Sequence, residues 1–323
     1  MTLSSTAGRH RHRILVLLPV YNGARWLEEQ IDSIIRQESA DWCLWVRDDG
    51  SSDNSLAILR DYAHAYPEQI KCIEDDQGNL GASASFSRLM MLALQDTGLQ
   101  NSDRNCYFAL ADQDDTWHPH KLQITLQQML DVERDAPEQP VLVHSDLRVV
   151  DEKGVELAAS LIAYQGLDSD KISFPAQLVS NTVTGCTTLL NRALLEHALP
   201  VPPQAMMHDW WLSLVASRFG QLSFIHRALV DYRQHGSNTL GARAHIPLRI
   251  DFSFFRRLFA RQQSLQAQQL FRASAAQAAA FRDRYEALLS AHDRHCLDLI
   301  CDMPNKSLWG QRILFRRMHR LRK

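Results

Sequence analysis

Residues 107–115 read Tyr-Phe-Ala-Leu-Ala-Asp-Gln-Asp-Asp, a short apolar run that ends in three carboxylates. A run of this length predicts a buried strand, and the polar residues after it mark the end of that strand. Three carboxylates within four residues repel one another and cost stability unless a cation lies among them. The segment therefore predicts a core strand that carries an acidic loop to a ligand or metal site.

The same arrangement recurs through the first 135 residues. Apolar runs at 14–20, 42–47 and 69–74 precede the strand at 106–111, and segments with helical spacing lie between them. This β-α-β-α alternation predicts a parallel, doubly wound α/β sheet. Ligands bind such sheets beyond the carboxyl ends of the strands. The polar clusters that follow strands, at 21–23, 48–51 and 112–115, are therefore expected to meet in one site.

The pattern changes after residue 136. Residues 141–143 and 147–150 predict two short strands before a turn at 151–154, 206–219 predict a helix and 222–234 a further strand. Beyond about 245, Gln, Ala, Arg and Leu predominate, which predicts a helical tail that could pack loosely. We expect one domain over 13–243, with a first half (13–135), a second half (136–243) and the tail (244–323).

Composition limits the class of protein. The chain has 323 residues, 22% charged residues and a formal net charge of −2, so its overall charge gives no indication of nucleic-acid binding. Six cysteines without a CxxC pair predict free thiols in a reducing compartment. The run Ile14–Leu18 resembles a signal peptide but stops at Pro19, so it predicts a first core strand. No run is long enough to span a bilayer, which predicts a soluble or peripheral protein.

The acidic loop has two interpretations. Asp112 and Asp114 could hold Mg²⁺ or Mn²⁺, which bind oxygen ligands and bridge to phosphate. Alternatively, the loop is solvated and caps a helix that begins near His118. His235, after the last predicted strand, could ligate the metal or be structural. Lys121 and Arg243 could balance leaving-group charge or be surface cations.

A second cluster suits a nucleotide base. Asp48 or Asp49, at a strand end, could accept a hydrogen bond from the imide N–H of uracil or thymine, and Gly50 allows close backbone approach. Ser52 or Asp53 would cap the next helix. Pro19-Val20-Tyr21-Asn22 can offer an aromatic face near the base.

These segments together resemble the ordered motifs of the family 2 glycosyltransferases. The matching segments are Pro19-Val20-Tyr21-Asn22-Gly23, Arg47-Asp48-Asp49-Gly50-Ser51-Ser52-Asp53, Asn79-Leu80-Gly81 and Asp112-Gln113-Asp114-Asp115-Thr116-Trp117. The last of these, followed by Lys121-Leu122, is similar to the rhamnosyltransferase branch of bacterial polysaccharide synthesis. Further agreement lies in 181–185, 207–211, 232–235 and 238–243. Cys186 and Arg88 depart from the residues common at their positions, Gly and Asn.

The resemblance implies the GT-A fold, a mixed sheet with a nucleotide-binding first half and an acceptor-binding second half. It also implies an inverting reaction that uses Mg²⁺ or Mn²⁺, with Asp209 as the base that deprotonates the acceptor. The implied metal ligands are Asp112, Asp114 and His235. The implied nucleotide-sugar site comprises Pro19, Tyr21, Asn22, Asp48, Asp49, Asn79, Gly81, Asp112, Lys121 and Trp211.

By the same resemblance the donor is dTDP-β-L-rhamnose, and the acceptor is a lipid-linked oligosaccharide of O-antigen or cell-wall polysaccharide synthesis. Several alternatives remain open. Asp209 could be only a helix N-cap, with Trp210 and Trp211 in the core. The protein could instead be a UDP-hexose transferase of the same fold, a nucleotidyltransferase, or an inactive glycan-binding subunit.

The C-terminal end suggests a membrane surface. After Asp302 all seven charged residues are basic, and they alternate with apolar residues that include Trp309 and Phe315. An interfacial helix on anionic lipid at the inner face of the cytoplasmic membrane fits this pattern. The alternative is a helix that packs its apolar stripe on the catalytic domain.

Overall fold

The computed structural model describes residues 12–38, 40–100, 105–136, 138–236 and 255–306, of which 99–100 and 255–267 are described by their backbone alone. Arg243, the matching segment 238–243 and the basic segment after Lys306 lie outside the described residues. The predictions made for them therefore stay predictions.

Within these ranges the strands form one mixed nine-stranded sheet. They are β1 (His12–Val20), β2 (Trp42–Asp48), β3 (Ile70–Cys72), β4 (Asn105–Leu110), β5 (Thr116–Trp117), β6 (Val141–Val150), β7 (Glu156–Ala158), β8 (Thr188–Leu190) and β9 (Gln221–Arg233). Their order is β3-β2-β1-β4-β8-β6-β9-β5, with β7 paired to β6. The first four strands are parallel, as predicted. β8 runs antiparallel to both β4 and β6, which makes the sheet mixed.

Helices cover both faces of the sheet. They are α1 (Leu27–Ile35), α2 (Ser55–Ala65), α3 (Ala82–Gln95), α4 (Thr97–Gln100), α5 (Lys121–Glu133), α6 (Leu161–Gln165), α7 (Phe174–Gln177), α8 (Arg192–Ala198), α9 (His208–Phe219), α10 (Phe255–Tyr285) and α11 (Ala291–Asp302). Short 3₁₀ turns lie at Gly185–Thr187, Glu286–Leu288 and Met303–Asn305.

β1 shows why the apolar runs are continuous. Leu15 and Leu17 pack in the hydrophobic cluster on one face of the sheet, whereas Ile14, Val16 and Leu18 pack in the cluster on the other. A strand covered on both faces needs apolar residues at every position. The central strands therefore lie inside a three-layer core, and their carboxyl ends emerge together at one edge.

Two local predictions were wrong. The segment 141–150 is one continuous strand, because Val141–Val150 pairs along its length with β9 before the turn at Asp151. The helix after the acidic loop begins at Lys121, not near His118, because Thr116 and Trp117 first pair with β9. Trp117 is buried in this arrangement. The acidic loop is thus held between two strand segments and does not cap a helix.

The described part of the C-terminal segment is helical, as predicted, but it is not loosely packed. Phe281 and Tyr285 of α10 pack against Trp211 of α9, and Leu297 of α11 belongs to the same cluster. The Gln277 side chain accepts a hydrogen bond of 2.8 Å from the backbone N–H of Met206. The described part of this helical segment therefore supports the loop that leads into α9. None of the described helices is both long and apolar enough to cross a membrane.

Candidate active site

A cavity of about 510 Å³ opens where β1, β2 and β4 end. Loops after these strands and the amino ends of α3 and α9 line the cavity. The lining residues are Pro19, Val20, Tyr21, Asp49, Gly50, Asn79, Gly81, Ala82, Ser85, Phe86, Asp112, Gln113, Asp114, Thr184, Gly185, Met207, His208, Asp209 and Tyr232. Of the predicted site residues, eight line this cavity: Pro19, Tyr21, Asp49, Asn79, Gly81, Asp112, Asp114 and Asp209.

A buried arginine fixes the β2 side of the cavity. The guanidinium of Arg47 donates to Asp75 at 2.9 Å, to the carbonyl oxygen of Gly78 at 2.9 Å and to Asp49. The Asp49 carboxylate in turn accepts from the backbone N–H groups of Leu80 at 2.9 Å and Gly81 at 2.8 Å. The buried Arg47 thus attaches the loop 75–81 to the end of β2. Asp49 both binds this loop and lines the cavity.

Arg88 has a role in the same network. Its Nε atom donates to Asp75 at 2.9 Å, and Arg47 and Arg88 together lower the pKa of Asp75 to about 2. Arg88, which departs from the family pattern, is therefore a second cation on the Asp75 carboxylate.

Gln113, which the sequence reasoning missed as a functional residue, clamps Tyr21 at the cavity mouth. Its side-chain oxygen accepts from the N–H of Tyr21 at 2.8 Å, and its amide donates to the carbonyl of Tyr21 at 3.0 Å. A Cβ atom on Gly23 would stand 2.5 Å from this side chain, so any other residue at this position would force the Gln113 amide to shift. The Tyr21 ring is left half exposed.

Asn22 and Asp48 do not line the cavity. Asn22, at φ 49°, accepts a 2.8 Å hydrogen bond from the N–H of Ser52. One oxygen of Asp48 accepts from the N–H groups of Gly50 and Ser51 at 3.1 and 2.9 Å. Both side chains shape the turn after β2, because short polar side chains readily bond to nearby backbone. Asn22 and Asp48 therefore stabilise the turn, whereas Asp49 lines the cavity.

The predicted cap of α2 is also different. Neither Ser52 nor Asp53 occupies the N-cap position, which is Asn54. Asp53 instead accepts from the N–H and hydroxyl of Ser55 at 3.0 and 2.6 Å.

Three carboxylates share the interior of the cavity. Burial, together with the negative charges of Asp114 and Asp209, raises the pKa of Asp112 to about 7. Burial also raises the pKa of Asp209 to about 6. Asp115 lies deeper, outside the cavity wall, and burial raises its pKa well above the usual range. Because like charges in a poorly solvated space disfavour ionisation, this cluster gains stability from a bound cation.

Asp209 is held by its own helix and by the segment 181–185. One oxygen accepts from the N–H of Gly185 at 3.0 Å, and the other from Trp210 N–H at 2.5 Å and the Asn181 amide at 3.4 Å. The N-cap position of α9 is Met207, so the interpretation of Asp209 as only a helix cap is wrong. Its carboxylate is aimed into the cavity by two separate segments.

The donor set fits a hard divalent cation. Asp112 and Asp114 supply carboxylate oxygens on the cavity wall, the ligand type that Mg²⁺ and Mn²⁺ prefer. His235 does not line the cavity, but its Nε2 atom lies 2.7 Å from an Asp114 oxygen and its ring stacks on Trp26 at 4.1 Å. His235 is thus placed to orient Asp114 or to join it as a ligand.

A second possible grouping lies behind the cavity wall. Ligand atoms of Asp112, Asp115 and Cys186 lie within 4.8 Å of one another, and one Asp115 oxygen has no hydrogen-bond partner among the described residues. Burial raises the pKa of the Cys186 thiol well above its usual range, which keeps it protonated. A protonated thiol is a poor ligand for a hard ion, so Asp112 and Asp114 suit the cation better.

Two predicted binding residues lie in the core. Trp211 is fully buried, donates its indole N–H to the carbonyl of Ala198 at 2.9 Å and packs against Phe281. Lys121 is also fully buried, with its Nζ atom 3.6 Å from the centre of the Trp117 ring. Burial lowers the pKa of Lys121 to about 7. Neither residue contacts the cavity, and Lys121 is not a surface cation.

Known proteins resemble this chain in sequence. The model of the family "Glycosyl transferase family 2" matches residues 15–197. The dTDP-rhamnosyl transferase RfbG of Shigella flexneri is 27% identical over 240 residues, which cover 70% of this chain and 74% of that protein. The uncharacterized glycosyltransferase alr2836 of Nostoc is 28% identical over 232 residues, covering 70% of this chain and 66% of the relative.

Two solved structures share the fold. TarS 1–349 of S. aureus in complex with UDP superposes with a TM-score of 0.52 at 14% identity, covering 94% of this chain and 91% of that one. The mannosyltransferase PcManGT from Pyrobaculum calidifontis, in complex with GDP-Man and Mn²⁺, gives 0.51 at 17% identity, covering 96% and 80%. The predicted GT-A fold is confirmed.

The Arg47 network generates the first prediction. Arg47→Met removes the guanidinium and leaves Asp49 and Asp75 without this buried cation, so the free energy of unfolding at pH 7 should fall by about 3 kcal/mol. Urea denaturation followed by circular dichroism measures this change.

Arg60→Met is the matched control. Arg60 pairs with Glu74 at 3.2 Å, but both side chains are exposed, so its loss should cost less than about 1 kcal/mol. Equal and small losses for the two variants would contradict the role given to Arg47.

Proposed function

Because the chain belongs to glycosyl transferase family 2, we propose that it transfers L-rhamnose from dTDP-β-L-rhamnose to a lipid-linked glycan, with inversion and with a divalent metal ion. The observation that carries this proposal is the single cavity in which Asp209, with its raised pKa, faces the same space as Asp112 and Asp114. A base, a cation site and a nucleotide pocket in one cavity are what glycosyl transfer from a nucleotide sugar requires.

The mouth of the cavity suits the nucleotide. The exposed Tyr21 ring offers a stacking face for a base, and Asn79 and Gly81 provide polar groups and close backbone approach beside it. The left-handed backbone of Gly81, at φ 77°, opens the amino end of α3 toward the same space. In this proposal Asn22 and Asp48 act indirectly by holding the turn that carries Asp49 and Gly50.

Asp112 and Asp114 would hold Mg²⁺ or Mn²⁺, with His235 orienting Asp114. When bound, the ion neutralises charge that develops on the departing nucleoside diphosphate. No lysine or arginine is among the lining residues of the described chain, so the cavity itself offers no other full positive charge for the diphosphate.

Asp209 is the proposed base. An acceptor hydroxyl is a weak nucleophile at neutral pH and reacts faster when a carboxylate takes its proton during attack. A pKa of about 6 keeps Asp209 ionised at pH 7 yet makes it a better proton acceptor than an ordinary aspartate. Gly185 and Asn181 hold the carboxylate in place. Direct attack by the hydroxyl, opposite the leaving group, would invert the anomeric centre to give an α-L-rhamnoside.

The sugar and the domain division belong to the same proposal. The relative named a dTDP-rhamnosyl transferase supports rhamnose as the sugar, and Phe86 and Met207 provide apolar contacts suited to the methyl group of a 6-deoxy sugar.

The two halves of the domain contribute different parts of the proposed site. The nucleotide-binding residues come from the first half, 13–135, and Asp209 with the residues that hold it comes from the second half, 136–243. The segment 244–323 would be the helical appendage.

Turnover tests the function. We would incubate the protein and Mn²⁺ with dTDP-β-L-rhamnose, UDP-glucose, UDP-GlcNAc and GDP-mannose, and measure released nucleoside diphosphate. The fastest release from dTDP-β-L-rhamnose supports the proposal, and a preference for a UDP-sugar would support the UDP-hexose alternative. No turnover of any of the four would favour an inactive glycan-binding subunit.

Asp209 generates the second prediction. Asp209→Asn should bind donor normally but lose at least a hundredfold in kcat, because the carboxamide cannot accept the proton. In the unmodified protein kcat/KM should fall tenfold per pH unit below about pH 6, since only the ionised carboxylate is active.

Steady-state kinetics between pH 5 and 8 measure both effects. Asp170→Asn, a change at an exposed aspartate outside the cavity, should leave rate and pH profile unchanged. An Asp209→Asn variant with more than a tenth of normal kcat would refute the assignment.

The basic C-terminal segment supports the third prediction, which concerns membrane attachment. A lipid-linked acceptor lies at a membrane surface, and each basic residue near anionic lipid contributes about 1 kcal/mol of binding that salt weakens. We expect the full chain to sediment with anionic vesicles at low salt and a truncation after Asp302 to stay in solution. Equal sedimentation of the two proteins, or no preference for anionic over neutral vesicles, would contradict attachment through this segment.

A further inference from the structure

His208, next to the proposed base, has a buried imidazole with no hydrogen-bond partner among the described residues. The residue is 3% exposed and lines the cavity, and both ring nitrogens lack a partner. Its ring stacks on Phe86 with 4.1 Å between the ring centres and an angle of 24° between the planes. Aromatic packing therefore fixes the ring while its polar atoms remain unused.

Gly185 keeps one of these atoms uncovered. A Cβ atom on Gly185 would stand 2.9 Å from Nε2 of His208 and 3.7 Å from Cβ of Asp209. The same glycine donates its N–H to the Asp209 carboxylate at 3.0 Å. The imidazole Nε2 and the proposed base thus flank one glycine, and a side chain at that position would press on the imidazole.

The imidazole is neutral. Burial lowers the pKa of His208 to about 3, so at neutral pH one ring nitrogen is a potential donor and the other a potential acceptor. A sugar hydroxyl likewise donates and accepts. A neutral imidazole also adds no positive charge that would compete with the cation at Asp112 and Asp114.

A buried polar group without a partner costs free energy, which argues against a purely structural role. An unsatisfied buried donor or acceptor destabilises a fold by about 1 to 3 kcal/mol, whereas an apolar side chain of similar shape avoids that cost. Phenylalanine would keep the stack on Phe86. The described residues give the imidazole nitrogens of His208 no partner, and a ligand in the cavity can satisfy them.

We propose that His208 binds a hydroxyl group of the transferred sugar beside Asp209 and thereby selects the donor. This inference rests on the proposed glycosyl transfer and makes His208 a specificity-determining residue rather than the base. The chemistry it recognises is a single hydroxyl on a hexose or deoxyhexose ring, held between the apolar Phe86 face and the acidic side of the cavity.

Deoxy donors test the inference. The parent donor is whichever of the four nucleotide sugars named above the unmodified protein turns over fastest, and it is compared with its analogues that each lack one ring hydroxyl. His208→Phe should lower kcat/KM for the parent about tenfold, the effect of one hydrogen bond. For the analogue that lacks the recognised hydroxyl, the two proteins should differ less than twofold.

Three further readouts separate this role from a structural one. His208→Phe should melt at the same temperature as the unmodified protein or higher, and its activity should still fall below about pH 6, because Asp209 is untouched. His208→Gln and His208→Met form a matched pair of similar length, so Gln should recover most of the activity that Met loses. This pair keeps the test valid if the Phe variant does not fold.

Three results would overturn the role of His208 while leaving glycosyl transfer intact. They are an equal loss for every deoxy analogue, a change in the fall of activity below about pH 6, and equal activities of the Gln and Met variants. Failure of the unmodified protein to turn over any of the four nucleotide sugars would overturn the proposed function as well, so the two failures are distinguishable.

Discussion

Electrostatic repulsion among Asp112, Asp114 and Asp209 is the constraint on which the rest of this site depends. The three carboxylates line one cavity, and the described lining residues include no lysine or arginine to neutralise them. Burial and this repulsion raise the pKa of Asp112, burial raises the pKa of Asp209, and the acidic loop is held between β4 and β5. A cavity of this kind is suited to bind a cation together with an anionic diphosphate.

The arginine side chains near the cavity bind other groups of the protein. Arg47 is committed to Asp49, Asp75 and the carbonyl of Gly78, and Arg233 donates to Glu29 and to the backbone of Asp114. Lys121 lies in the core with a lowered pKa. None of these three side chains is among the residues that line the cavity, so the described cavity lining stays acidic. This division of charges explains how a rigid frame can surround an acidic cavity.

Periodicity and strand-end chemistry predicted the first half of the sheet, because a strand buried on both faces has a distinctive apolar run and its carboxyl end is followed by turn residues. They could not predict which of two adjacent residues faces the ligand. Asp48 and Asp49 are equivalent in sequence, but only the long-range bonds from Arg47 and the loop 80–81 direct Asp49 to the cavity. Trp211 and Lys121 were misplaced for a similar reason: their surroundings come from α10 and from the pairing of β5 with β9, contacts that local spacing does not encode.

Calorimetric titration of dTDP and of UDP, each with Mn²⁺ and with EDTA, tests the need for a cation most directly. We expect the preferred nucleotide to bind at least tenfold more tightly with Mn²⁺, and Asp114→Asn to lose most of that difference while Asp170→Asn keeps it. Equal affinity with and without the ion in the unmodified protein would contradict the view that these carboxylates form a cation site.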